Sequence, residues 1–184
     1  MNYLNKTLEQ FQTDMILAAK KGFPILLSGS IIFLLFTFLP FVLPLKPVCL
    51  IWILGMSAIF PFGLVLCKMM NVHLLSTDNP LSVLGGMIAA AQAFFIPVFI
   101  LVYRHMPEYL PFTIGLLGGS HFLPYMWIYR SKAYLFITLG TCSSALVLGG
   151  YFVEQAFTLV PLATSIVYAI GILLIFKELK TDAV

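Results

Sequence analysis

An all-α fold, an integral membrane bundle of six transmembrane helices with an N-terminal amphipathic interfacial helix, is what this 184-residue sequence predicts. Three observations carry that prediction. Six stretches of about twenty residues contain no Asp, Glu, Lys or Arg, and a helix of roughly 20 apolar residues spans a bilayer core of about 30 Å. Apolar residues make up 61% of the chain and charged residues only 9%, against roughly 45 to 50% and 25% for an average soluble domain. The runs at 25–45 and 135–152 are apolar nearly all round, which leaves no polar face for water. Continuous runs of this length exclude barrel strands, which would alternate in polarity over about ten residues.

The elements follow in order. In the first twenty residues Leu4, Leu8, Phe11 and Met15 share one helical face, with Lys6, Glu9, Gln10, Gln12 and Asp14 on others. This describes an interfacial helix that turns upward at Gly22 and Pro24. Spans are expected at about 23–45, 48–67, 81–103, 109–128, 133–153 and 156–176. They form a single transmembrane domain over 1–184, with no room for a second, soluble one. Between the second and third spans, Asp78 or Asn79 followed by Pro80 makes a helix start, with a side-chain acceptor at the N-cap and proline at the first helical position. Trp52, Tyr103, Tyr109, Trp127, Tyr129 and Tyr134 fall mostly near span ends, where aromatic residues anchor to the membrane interface.

With the N-terminus inside, the inner segments hold eight of the ten basic residues, and only Lys46 and Arg104 lie outside. The positive-inside rule therefore predicts both termini in the cytoplasm. The mixed residues before the first apolar run do not form a cleavable signal, so the N-terminus is expected to be retained. Cys49, Cys67 and Cys142 are widely spaced and lack a CxxC pair, which suits small buried apolar side chains better than ligands or a disulfide. The net charge of +3 sits at membrane edges, where it suits anionic headgroups. It forms no basic face for nucleic acid.

Apart from Cys and Tyr, His121 is the one titratable group deep in an expected span. It stands between the glycines 115, 118 and 119 and Pro124, which frees the carbonyl of Ser120. Small residues and a broken ladder around a polar group describe the discontinuous helices that line transporter sites. The bland alternative is a neutral histidine bonded to a neighbouring helix. Gln92 is the second buried polar candidate; its bland role is a packing hydrogen bond. Ser120 and His121 are adjacent on one helix and point about 100° apart, a poor nucleophile and base pair. His73 and His105 lie in loops expected on opposite sides of the membrane. No paired acids and no HExxH are present, and no Asp, Glu or Lys stands in any span to serve a proton pump.

The segments DNPL (78–81) and GSHFLPYMWIYRSKAY (119–134) resemble those of an uncharacterised family of small bacterial multi-pass membrane proteins of unknown function. The likeness covers most of the chain. It implies a bacterial plasma membrane and six helices, and no activity comes with it. If the shared motif marks a site, Asn79, His121, Pro124, Trp127, Tyr129 and Ser131 would border a pocket open to the cytoplasm. The candidate binding residues are His121, Gln92, Asn79, Ser120, Tyr125 and Trp127, and no catalytic residue, metal ligand or cofactor is expected. The leading function is a carrier for a small or lipophilic solute, or an accessory protein with a membrane or cytosolic partner. The alternative is an enzyme acting on a lipid or isoprenoid with His121 as base.

Overall fold

The computed structural model describes residues 6–75 and 78–182, and these contain helices and no strand. The first helix, α1 (Leu8–Ala19), opens with a capping box: Gln10 N donates to the Thr7 hydroxyl, and Thr7 N donates to Gln10 Oε1 at 2.8 Å. Lys20, Lys21 and Gly22 then take positive φ in succession, at 45°, 53° and 67°. Only glycine adopts that region without steric cost. The turn aims the chain into α2 (Phe23–Phe38), with Pro24 in its first turn. Pro44 precedes α3 (Leu45–Met69). Asn79 caps α4 (Pro80–Ala91) by accepting from Leu81 N at 2.9 Å. A 3₁₀ stretch, Gln92–Phe95, leads to α5 (Ile96–His105). The chain continues through α6 (Leu110–Ser120), α7 (Leu123–Ile128), α8 (Lys132–Ser144) with a π turn at Ala145–Gly149, and α9 (Ala156–Asp182).

Five segments are long and apolar enough to cross a membrane: Leu8–Phe41, Leu45–Met69, Pro80–His105, Lys132–Gly149 and Val153–Asp182. They mark the chain as a membrane protein. Packing centres on α2 and α9, where each of two serine hydroxyls bonds the other helix: Ser30 Oγ donates to the Ser165 carbonyl at 3.0 Å and Ser165 Oγ to the Ser30 carbonyl at 2.9 Å. Phe33 meets Tyr168 edge-on across the same interface. On the other side of α2 lies α3, and Trp52 stacks on Phe36 with ring centroids 5.1 Å apart. The segment Pro80–His105 is the least buried of the five, at 11% against 50% for Leu8–Phe41.

The expected span 109–128 is not one helix. His121 and Phe122 form a turn between α6 and α7, because Pro124 lacks the N–H that would bond the Ser120 carbonyl. Within 81–103 the ladder tightens at Gln92–Phe95, just before Pro97, which cannot donate to Ala93. Gln12 was expected on a polar face of the first helix, yet it is buried and its Nε2 donates to the Trp127 carbonyl at 2.8 Å. That bond adds to the one from Arg130 N at the C-terminal end of α7. On the expected apolar face of the first helix, Leu8 is 51% exposed, Phe11 is half-buried and Met15 is buried, and Leu4 lies outside the described residues. Trp52, Tyr129 and Tyr134, read as interface anchors, are fully packed inside the bundle.

Candidate functional site

A cavity of about 510 Å³ lies between α3 and the α4–α5 segment. Its size falls in the range of small-molecule sites. One wall is α3, through Ile53, Met56, Ser57 and Phe60. The facing wall carries Gly85, Gly86, Ala89, Ala90 and Ala93. Steps of four put 85, 89 and 93 in one row and 86 and 90 in the next, so small side chains face the space. At Gly86 an added Cβ would meet nothing within 4 Å. Ser57 and Phe60 from α3 and Ala90 and Ala93 opposite are exposed, which puts the opening on the side of the bundle between these helices.

The floor is aromatic. Tyr125, Tyr129 and Tyr134 stand nearly parallel with centroids 5.5 to 6.0 Å apart, and Phe122 and Tyr168 complete the surface. Backbone carbonyls hold the outer rings in place. Tyr125 Oη donates to the Gly85 carbonyl at 2.7 Å, tying α7 to α4, and Tyr134 Oη donates to the Lys21 carbonyl at 2.6 Å. No Asp, Glu, Lys or Arg is among the lining residues.

The break in the fourth expected span positions His121. The ring stacks at a tilt on Phe122, 3.9 Å between centroids, and its Nδ1 bonds the Gly118 carbonyl one turn back. Gln92 reaches the same cavity from the 3₁₀ stretch and makes no side-chain hydrogen bond with a described residue. Three of the six candidates thus meet on one cavity: His121, Gln92 and Tyr125.

The other three do not join them. Asn79 is a structural residue, buried, capping α4 and donating from Nδ2 to the Phe11 carbonyl at 2.8 Å. Ser120 is exposed and its hydroxyl donates to the Leu117 carbonyl, so it forms no pair with His121. The Trp127 side chain is 49% exposed, and its carbonyl accepts from Gln12 Nε2 and from Arg130 N. Asn79 and Trp127 both bond α1, through the Phe11 carbonyl and Gln12 Nε2, and the same helix reaches the cavity with Met15.

Two features escaped the sequence reading. The spacing 125, 129, 134 brings three tyrosines together, but Tyr129 and Tyr134 were read as anchors and Tyr125 singly as a candidate binding residue. The second is a buried cation. Lys21, 1% exposed, places Nζ 3.0 Å from Glu178 and 2.7 Å from Asp182. Glu178 also accepts from Ser131 Oγ at 2.6 Å and from Ala133 N at 3.0 Å, at the N-terminus of α8. The only signal was an acid just beyond the last apolar run.

No curated protein and no solved structure matches the chain. A family model does match, over residues 8–178, which include every helix described here except the last residues of α9. The chain belongs to that family, the Family of unknown function (DUF7010).

Proposed function

We propose that this protein is a six-span membrane protein whose cavity takes a small lipophilic solute, as a carrier or as the binding component of a membrane assembly. One observation carries the reading: a cavity of about 510 Å³ with no Asp, Glu, Lys or Arg among its lining residues, which His121 and Gln92 both line. Apolar lining with few convergent polar groups is the usual make-up of a small-molecule site. A side opening between exposed helices suits a solute that partitions into the bilayer first. The sixth crossing would be supplied by α6 and α7 together, since Pro107, just before α6, lies by Cys49 near the start of α3, and Trp127 lies by α1.

In this reading the membrane is a bacterial plasma membrane and both termini are cytoplasmic, from the eight basic residues gathered on that side. Exposed Leu8 and Leu17 on α1 would then rest at the headgroup boundary. Cysteines introduced as Lys6→Cys and Lys180→Cys should react with an impermeant maleimide from one and the same side of the membrane. Labelling from opposite sides would mean an odd number of crossings.

The cavity itself is tested by filling it. Gly86→Leu projects into open space, so the protein should fold as before. Organic extracts of wild type purified in nanodiscs should contain lipophiles that are depleted at least tenfold in extracts of Gly86→Leu. Identical extracts would count against solute binding at this place.

A further inference from the structure

We propose that the solute is an uncharged lipophile bearing a hydroxyl group, an alcohol or a phenol, whose O–H donates to His121 Nε2. This rests on the cavity reading above and narrows its ligand. A carbonyl oxygen can only accept, so the contact of His121 Nδ1 with the Gly118 carbonyl puts the ring proton on Nδ1. The neutral ring then keeps its lone pair on Nε2. No carboxylate lines the cavity to accompany an imidazolium, and an unpaired charge in this setting is costly.

Nε2 has no partner among the described residues. The sealed side-chain polar atoms without partners are Trp52 Nε1, Thr141 Oγ1 and Thr164 Oγ1. Among the described residues His121 Nε2 is not one of them, so it is not sealed, and His121 lines the cavity. The hydroxyls of Tyr125, Tyr134, Ser82 and Ser57 each donate to a backbone carbonyl, and those of Tyr129 and Tyr168, which also line the cavity, make no hydrogen bond to His121. What remains is one acceptor at His121, an amide at Gln92 that can both donate and accept, and the phenol hydroxyls of Tyr129 and Tyr168. A ketone or an ether oxygen only accepts, and so leaves His121 Nε2 without a donor. A hydroxyl supplies the donor that His121 Nε2 lacks and can itself accept from a donor on the wall. The absence of lining charge excludes a carboxylate, phosphate or ammonium on the part of the ligand inside the cavity.

The test compares isotope-labelled 4-hexylphenol with its methyl ether, 4-hexylanisole, each as saturable retention by the protein in nanodiscs above empty nanodiscs of the same lipid. After correction for lipid partition, wild type should bind the phenol about five- to tenfold more tightly than the anisole, the worth of one net hydrogen bond. In His121→Phe the ratio should fall to about one while anisole binding changes by less than about twofold. If His121→Phe loses both, the wild-type ratio decides alone. A wild-type ratio of one, or a ratio that survives His121→Phe, overturns the hydroxyl assignment and leaves the cavity reading standing. No saturable retention of either compound removes both.

Discussion

Lys21 carries a charge into the protein interior, so its partners govern stability at the end of the bundle that holds the termini. Glu178 holds Lys21, Ser131 and the α8 N-terminus at once. Truncating one member of a buried ion pair strands the other, at a cost of about 3 to 5 kcal/mol. Glu178 is 24% exposed and Asp182 remains to pair with Lys21. Glu178→Ala should therefore lower unfolding free energy by about 3 kcal/mol, read from denaturant titration in mixed micelles. Asp182→Ala, at a more exposed carboxylate, should cost about 1 kcal/mol or less. Equal effects would show that exposure does not rank the two. The Asn79 cap was legible in the sequence because cap and helix are neighbours in the chain. Glu178 was not, because Lys21 and Ser131 lie 157 and 47 residues away along the chain.

Among the elements, close helix contacts and broken helices have separate causes. Gly149 sits where the π turn crosses α6: a Cβ there would stand 2.8 Å from Phe112 Cα and 3.0 Å from Phe112 N. Both are backbone atoms of a packed helix, so neither yields as a side-chain tip would. Gly149→Ala should cost about 1 to 3 kcal/mol through overpacking, whereas Gly86→Ala, facing open space, should be near neutral in the same unfolding assay. A silent Gly149→Ala would mean that α6 and the π turn stand further apart. Helix class and most boundaries were readable because twenty uncharged residues have few alternatives in lipid. The break at His121 was half readable: Pro124 announced a missing hydrogen bond, but not that the helix would end and restart. Nothing in the composition of 145–149 announced the π turn, which depends on packing against α6.

At the scale of the whole molecule, the cavity exists because α4 and α5 rest lightly on the rest. The first of them leans on α1 and α7, the second on α3 and α6. Small residues at 85, 86, 89, 90 and 93 leave the middle of that wall thin. His121 and Gln92 were legible as polar residues in apolar spans, but their convergence on one space was not, since it depends on how α4 is held away from α3. The most direct measurement is an equilibrium binding isotherm of labelled 4-hexylphenol on wild type and Gly86→Leu in nanodiscs, with empty nanodiscs subtracted. Saturable binding that approaches one molecule per chain in wild type, weakened at least tenfold by Gly86→Leu, is the expected result. Retention that rises linearly without saturation, or saturable binding untouched by Gly86→Leu, would contradict a binding site in this cavity.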